Sequence, residues 1–257
     1  MCAFKRLLFF AALAALLVSC APPAATEPAR ATAQVLQVQI TLTLRELSPI
    51  LSECARRQWT LGLVLDERPA SLIDVAGNEL ALRWGAPDRL DRYAAIIGQE
   101  TLVLVVHPNN PLARLTRSQV RAIYNGSAFA WGAFLQPQCE DCAADNPGDP
   151  YAAKEIHAWA YPAGEDIRQI FEISFGMNIV AAAAGTVPDP IAARQAVAED
   201  PMAITFLPAR LVDGSVHALE IEGQPEGSLA VPILALGERE PQGLPRQWVA
   251  CVTDQLK

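Results

Sequence analysis

The sequence predicts an α/β fold with mostly parallel sheets. Its 257 residues, of which 51% are hydrophobic, are enough for one large domain or two modest domains with packed cores. Segments with strand-like and helix-like spacing of apolar residues alternate along the chain, which is the pattern of α/β proteins. No internal repeat at a fixed period competes with this fold class.

The first twenty residues predict export and a lipid anchor. Lys5 and Arg6 precede an apolar run over residues 7–18, which is too short to span a bilayer and has the layout of a secretory signal. The run ends in Ser19 and Cys20, and this ending resembles the bacterial lipobox, in which the cysteine is acylated and becomes the new N-terminus. An ordinary signal peptide with a chance cysteine is the alternative.

The expected mature protein is therefore an acidic body held at a membrane by lipid. We expect a lipoprotein signal peptide over residues 1–19 and a flexible tether over residues 20–33, which are rich in Ala, Pro and Thr. This predicts an extracytoplasmic, lipid-anchored location. The formal net charge of −8 and the pI near 4.9 argue against a nucleic-acid partner, because binding to phosphates requires clustered Lys and Arg.

The first elements of the body follow directly from the spacing of apolar residues. Residues 34–43 alternate as a strand does, and residues 47–57 carry apolar side chains at helical spacing. Two short strands are predicted at 61–65 and 80–84. Residues 96–107 contain a continuous run of Leu and Val, which is typical of a strand covered on both faces in the centre of a sheet.

The remaining elements continue the alternation. Two prolines, Pro108 and Pro111, end the central strand, and Thr116 is a suitable cap for a helix that runs through Tyr124. Residues 136–151, rich in Pro, Asp, Cys and Gly, predict an irregular surface loop. The later predicted elements are a strand at 156–161, helices at 166–175 and 190–199, and a strand at 203–208.

The four cysteines of the body predict disulfides, because thiols outside the cytoplasm are usually oxidised. Cys54, Cys139, Cys142 and Cys251 allow three pairings, of which we favour Cys139 with Cys142 and Cys54 with Cys251, tying the first helix to the last. Redox or metal chemistry at the Cys139 and Cys142 pair is the alternative, but a zinc site needs a second pair of ligands.

The sequence predicts neither a metal site nor an enzyme, and no cofactor is expected. The three histidines, His107, His157 and His217, are far apart in the sequence and lack metal-ligand spacing. No nucleophile motif, phosphate-binding Gly-rich loop or zinc-protease motif occurs. Catalysis would need a nucleophile with a base, or paired carboxylates in a cleft.

One stretch of the chain resembles a known family. The run Leu102-Val103-Leu104-Val105-Val106 is followed by His107-Pro108-Asn109-Asn110-Pro111, then by Ile123-Tyr124-Asn125-Gly126, and by Trp131. This spacing resembles the phosphate-binding-protein-like solute-binding proteins of ABC importers. Weaker similarities lie at residues 43–49, 162–171 and 196–207.

The resemblance implies a two-lobed fold of the type II periplasmic-binding-protein kind, with each lobe a small mixed sheet flanked by helices. The first lobe would comprise residues 34–107 with a C-terminal return at about 209–257, and the second lobe residues 108–208. It also implies a monomer whose partners are a small solute, an ABC permease and the membrane.

The resemblance also indicates where a ligand would bind. In this family two loops at helix starts face each other across the cleft, because free backbone N–H groups and the helix dipole attract anions. The corresponding candidates here are Thr43, Arg45, Gly164, Asp166 and Arg168.

The second of these loops departs from the family pattern. The segment Glu165-Asp166-Ile167 stands in place of Ser-Gly-Thr, so two carboxylates lie where an oxyanion would bind. In the first loop Arg45 replaces a serine. Two of the candidates also have structural interpretations, since Thr43 suits a helix cap, which we favour, and Arg168 suits an ion pair with Glu165 or Asp166.

The predicted function is that of an extracytoplasmic solute-binding lipoprotein. It would capture a small solute, for which an anion is one candidate, between two lobes for an ABC importer. Lobe closure would signal the bound state to the permease. The first alternative is an interaction or scaffold lipoprotein that keeps the fold with a degraded ligand site. An exported enzyme is the second alternative.

Overall fold

The computed structural model describes residues 33–58, 60–75, 80–86, 92–135, 153–180, 182–225 and 227–257. The segment from Ala33 to Lys257 forms one compact unit. Within the described residues, no helix has the length and apolar character needed to cross a membrane. The predictions for the signal peptide, for Cys20 and nearly all of the tether, and for the Cys139–Cys142 pair lie outside the described residues, as does the whole predicted loop at 136–151.

Strands and helices alternate through most of the body. The strands are β1 (Gln34–Thr41), β2 (Leu61–Arg68), β3 (Leu80–Trp84), β4 (Tyr93–Val106), β5 (Arg114–Thr116), β6 (His157–Ala160), β7 (Gly185–Thr186), β8 (Ala203–Pro208), β9 (His217–Glu222) and β10 (Ala230–Gly237). The α-helices are α1 (Ser48–Arg56), α2 (Arg117–Tyr124), α3 (Gly132–Leu135), α4 (Asp166–Phe175), α5 (Pro190–Glu199) and α6 (Leu244–Gln255). Short 3-10 helices lie at Leu42–Leu47, Ala70–Leu72 and Ala209–Leu211.

The long strand β4 joins two sheets. Its first part pairs with β10 in a sheet of order β2-β1-β3-β10-β4, and its last part pairs with β8 and β9 in a sheet that continues through β6 to β7. We call the first sheet with α1 and α6 the first lobe, and the second sheet with α2, α4 and α5 the second lobe. The pairing is mixed rather than mostly parallel, because β4 runs antiparallel to β8, β9 and β10.

The strand β9 bears on the predicted lobe boundaries. Those boundaries assign residues 209–257 to the first lobe, whereas β9 pairs with Leu104–Val106 of β4 in the second sheet. The reason is that the chain forms an antiparallel strand beside β4 before it returns to the first sheet as β10. The division of the chain into lobes at fixed residues stays a prediction.

The second lobe has an aromatic core that holds α4 on its sheet. Phe171 of α4 stacks on Phe206 of β8 with ring centroids 4.0 Å apart, and Tyr124 of α2 meets Phe171 edge-on at 4.7 Å. Burying one such side chain contributes roughly 1.5–3 kcal/mol. Gly176, with φ of +61°, ends α4 in the left-handed conformation that glycine adopts most readily. These contacts hold α4 against β8 and α2.

The first lobe is cross-linked between its first and last helices. Cys54 of α1 and Cys251 of α6 form a disulfide with their Cα atoms 5.7 Å apart, which is the long-range pairing favoured from the sequence. Beside it, the buried Trp248 donates a hydrogen bond from its indole nitrogen to the carbonyl of Leu51 at 3.0 Å. The disulfide and the hydrogen bond each join a residue of α1 to a residue of α6, so together they fix the two helices against each other.

Candidate functional site

Two segments that the sequence places in facing loops meet at a buried hydrogen bond. Thr43 lies in the 3-10 helix that follows β1, and Asp166 is the first residue of α4. The Thr43 hydroxyl donates to Oδ1 of Asp166 at 2.6 Å, and the two side chains are 2% and 0% exposed. The interpretation of Thr43 as a helix cap is wrong, because its hydroxyl is directed to the other lobe instead of to its own helix.

Asp166 accepts two further hydrogen bonds from backbone amides. The N–H of Trp84, at the end of β3, donates to Oδ2 at 3.0 Å, and the N–H of Ile167 donates to Oδ1 at 2.8 Å. Hydrogen bonds to a carboxylate stabilise its charged form and are stronger than those between neutral groups. The carboxylate is therefore solvated by protein groups from both lobes. We call Thr43, Trp84, Gly164, Glu165 and Asp166 the junction.

Gly164 allows the second lobe to approach the first closely at the junction. Its φ of +93° lies in the region that glycine tolerates, and a Cβ placed there would lie 2.9 Å from Oγ of Ser71. Ser71 belongs to the short 3-10 helix that follows β2. A side chain at position 164 would therefore push the two segments apart.

Glu165 is a buried acid beside Asp166. Its side chain is 4% exposed, and none of the described groups makes a hydrogen bond to Oε2. Burial and the neighbouring charge of Asp166 raise its pKa to about 7, although the backbone amide of Ala70 partly opposes the rise. Two carboxylates thus stand side by side at the junction, but only Asp166 has a full set of donors.

The two candidate arginines are engaged in protein contacts. Arg45 pairs with Glu67 at 2.7 Å and with Asp189 at 2.9 Å, and the other oxygen of Asp189 accepts the N–H of Ala192 and so caps α5. Arg45 therefore links the 3-10 helix that follows β1, to which it belongs, to the start of α5. Its guanidinium is partly exposed, so this ion-pair network contributes little to stability.

Arg168 is held within the second lobe. Its guanidinium pairs with Glu172 at 3.0 Å and donates to the carbonyls of Tyr161 and Ile179 at 3.0 and 3.1 Å. The partner is Glu172, one turn further along α4, and not Glu165 or Asp166 as the structural interpretation expects. Of the five candidates, the junction contains Thr43, Gly164 and Asp166 and excludes Arg45 and Arg168.

A cavity of about 660 Å³ lies beside the junction, along α4. We call it the α4 cavity. Its walls are formed by the ends of β3 and β10 from the first lobe and by α4 with the residues after it from the second lobe. Its lining residues include Arg83, Trp84, Asp166, Gln169, Ile170, Glu172, Ile173, Met177 and Val231.

Arg83 is the polar feature of this cavity that sequence reasoning missed. It lies on β3, is 6% exposed, and donates from Nη2 to Oε1 of Gln169 on α4 at 3.1 Å. An arginine inside the otherwise apolar Leu80–Trp84 strand is the signal that could have identified it, because a charge on a buried strand needs a specific partner. Its partner is 86 residues away in sequence.

The described residues contain no group of three or more His, Cys, Asp or Glu side chains that could hold a metal ion. His157 pairs instead with Asp200 at 2.6 Å, and the ring nitrogen of His107 accepts the N–H of Asn109.

Solved structures with similar folds include two phosphate receptors. A Clostridium perfringens protein, described as a phosphate ABC transporter substrate-binding protein with bound phosphate, aligns with a TM-score of 0.68 at 15% identity over 85% of this chain and 93% of its own. An ABC-type phosphate transport receptor from Vibrio cholerae aligns with a TM-score of 0.60 at 17% identity over 84% of this chain and 93% of its own.

Regulatory domains share the same architecture. The CcmR regulatory domain from Synechocystis PCC6803 in complex with 2-PG aligns with a TM-score of 0.57 at 13% identity, covering 87% of this chain and 97% of its own. Neither a protein-family model nor a curated protein sequence matches this chain. At these identities the similarity establishes the fold, which is the predicted two-lobed α/β fold of type II periplasmic binding proteins.

Proposed function

We propose that this chain is an exported, lipid-anchored solute-binding protein that takes a small organic acid into the α4 cavity and presents it to an ABC-type permease. The observation that carries the proposal is the cavity itself, which is walled by both lobes. Its volume of about 660 Å³ falls within the range of roughly 300–1,000 Å³ that small-molecule sites occupy.

The lining of the α4 cavity favours an acid with an apolar body. Ile170, Met177 and Val231 offer apolar surface, and burying a ligand against them would gain roughly 25 cal/mol per Å². Arg83 supplies a positive charge and a planar set of donors that matches a carboxylate. The two carboxylates of the lining, Asp166 and Glu172, are held by donors of the protein itself. Because the chain as a whole is acidic, this buried guanidinium of Arg83 would attract an acid at one place and is not part of an extended basic surface.

Signalling to a permease would follow from the walls of the cavity. Because β3 and β10 belong to one lobe and α4 to the other, a solute between them stabilises one relative position of the lobes. A ligand can shift such an equilibrium only by its difference in affinity for the two positions. The surface recognised by the permease would thus depend on whether the cavity is filled.

A thermal-shift screen tests the proposal. The chain from residue 21 to 257 is heated with short branched carboxylates, amino acids, sugars, phosphate and sulfate. A ligand that binds only the folded state stabilises it by about 2.7 kcal/mol at a hundred times Kd. We expect a branched carboxylate to raise the Tm of the wild type and of Arg68→Gln, an exposed control on β2, but not that of Arg83→Gln. Equal shifts in both variants would contradict the role of Arg83.

The lipid anchor needs its own test, because it depends on Cys20. We expect the intact mass of the mature protein from a bacterial host to correspond to acylated Cys20, and Cys20→Ser to leave the membrane fraction. A mature N-terminus at any other residue would contradict the anchor and leave an ordinary signal peptide.

A scaffold lipoprotein is the second candidate function, and the junction favours it. The acidic groups Glu165 and Asp166 fill the helix starts where the family resemblance implies an anion. A chain without any transported solute would give no thermal shift with any compound of the screen, while keeping the lipid anchor.

A further inference from the structure

We propose that Asp166 is an internal ligand: its carboxylate occupies the anion position at the junction and holds the two lobes together without any free anion. This inference concerns the donors of Asp166 and does not depend on the identity of the proposed solute. Two residues of the junction, Trp84 and Asp166, also line the α4 cavity.

The donors that surround Asp166 are those that a free oxyanion would use. They are the hydroxyl of Thr43, the backbone N–H of Trp84 and the N–H of Ile167 in the first turn of α4. Hydroxyls and the N–H groups at a helix start are the usual partners of bound anions. Here all three donate to a carboxylate of the same chain, at 2.6, 3.0 and 2.8 Å.

The position of Trp84 shows that this set of donors is built and not accidental. The side chain of Trp84 is fully buried, and its indole nitrogen donates to the carbonyl of Val231 at 3.1 Å. The next N–H along the chain, from Gly85, donates to the carbonyl of Pro232 at 2.9 Å. The end of β3 is thereby fixed to β10 on both sides of the amide that serves Asp166.

The polar groups of the junction are buried. Thr43, Trp84 and Asp166 are at most 2% exposed, and the approach of Gly164 to Ser71 closes the neighbouring edge. A free phosphate would also lie beside the acid Glu165, and the repulsion between two negative charges opposes its binding. Asp166 thus opposes the binding of a free oxyanion at the start of α4.

An internal ligand also differs from a free anion because its occupancy does not depend on the concentration of any solute. A group tethered beside its donors has an effective concentration fixed by the chain, so its contacts do not depend on any solute in the medium. The lobes are consequently joined at Thr43 and Asp166 in the ligand-free protein.

Chemical rescue tests the inference. Asp166→Ala keeps the Cβ and deletes the carboxylate, so formate is the missing group. The chain from residue 21 to 257 is melted in rising sodium formate against sodium chloride of equal ionic strength. We expect formate to raise the Tm of Asp166→Ala in a saturable way and to slow exchange of the Trp84 amide. The wild type should respond to neither formate nor phosphate beyond the chloride control.

Two controls separate rescue from general salt effects. Asp166→Asn fills the space with an amide, so formate should not stabilise it. Asp213→Ala removes an exposed carboxylate that accepts two hydrogen bonds from Ser215. Formate should not raise the Tm of this variant either, because water can replace the lost carboxylate. Equal formate responses in Asp166→Ala and Asp213→Ala would overturn the inference, as would saturable protection of the wild-type Trp84 amide by phosphate.

If Asp166→Ala does not fold, Thr43 provides a second route. Thr43→Val keeps the shape and removes one donor, whereas Thr43→Ser keeps the hydroxyl. We expect the valine variant to melt lower than the serine variant and to exchange its Trp84 amide faster. Identical melting and exchange in these two variants would overturn the inference.

Discussion

The junction and the α4 cavity lie side by side between the same two lobes but have opposite characters. At the junction the polar atoms of Thr43 and Asp166 are buried and directed at each other across the lobes. The cavity has mostly apolar walls, and its charged lining residues are Arg83, Asp166 and Glu172. The difference indicates that the lobes are held at one place and leave space for a solute at another.

The largest expected effect comes from removing the carboxylate at the junction. Asp166→Ala leaves the hydroxyl of Thr43 and the amides of Trp84 and Ile167 buried without an acceptor. Each buried polar group left without its partner costs about 1–3 kcal/mol, so we expect a loss of roughly 3–5 kcal/mol in the free energy of unfolding. Urea denaturation measures it. A loss of less than about 0.5 kcal/mol in the free energy of unfolding, which is typical of a surface substitution, would show that the junction does not hold the lobes together.

Removing the second carboxylate should have the opposite sign. Because the pKa of Glu165 is raised to about 7, the folded chain binds a proton there that the unfolded chain releases near its ordinary value of 4.5. The folded state is therefore penalised progressively as the pH rises from about 4.5 to 7, by roughly 3 kcal/mol at most.

Glu165→Gln removes this penalty. We expect the variant to be more stable than the wild type at pH 8 and to differ little at pH 4, as measured by urea denaturation at both pH values. A wild type and variant with parallel stability profiles would mean that Glu165 titrates normally and that the junction is open to water.

A smaller effect is expected at the edge of the junction. Arg45→Gln breaks two ion pairs that are partly exposed, and such pairs contribute about 0.2–1 kcal/mol each. We expect a loss of about 1 kcal/mol that shrinks in high salt, measured by denaturation at low and high ionic strength. A loss as large as that of Asp166→Ala would move the main contact between the lobes to Arg45.

The smallest effect on stability is expected on α4 beside the cavity. Ile173 is 81% exposed and lines the α4 cavity, so Ile173→Lys should change the free energy of unfolding by about 0.5 kcal/mol or less. The same substitution should weaken binding of a branched carboxylate, because it replaces apolar wall with a mobile charge. Unchanged affinity by calorimetry would place the solute elsewhere.

Much of the fold was predictable because its local signals are strong. The helix at 166–175, the helix at 190–199 and the strand at 203–208 occur where their apolar spacing predicts them. Thr116 forms the predicted cap, with its side chain accepting the N–H of Gln119. In the two helices the residues that the apolar spacing places on one face are the ones that the fold buries.

The parts that the sequence did not reveal depend on contacts between distant residues. The strand β10 lies in the middle of the first sheet, although it follows β9 of the second sheet and contains Pro232. The pairing of Arg83 with Gln169 likewise joins elements of different lobes. The spacing of apolar residues does not show which strands pair in the sheet, so the α4 cavity could not be predicted from it. Thr43 and Asp166 were named as candidates through the family resemblance.

The most direct test of the account is hydrogen exchange of the Trp84 amide in the wild-type chain with no ligand added. Since Asp166 accepts this N–H in a fully buried place, we predict exchange that is slowed to the level of the central β4 amides, and no further change on adding phosphate. Rapid exchange in the ligand-free chain, slowed only when phosphate is present, would contradict it.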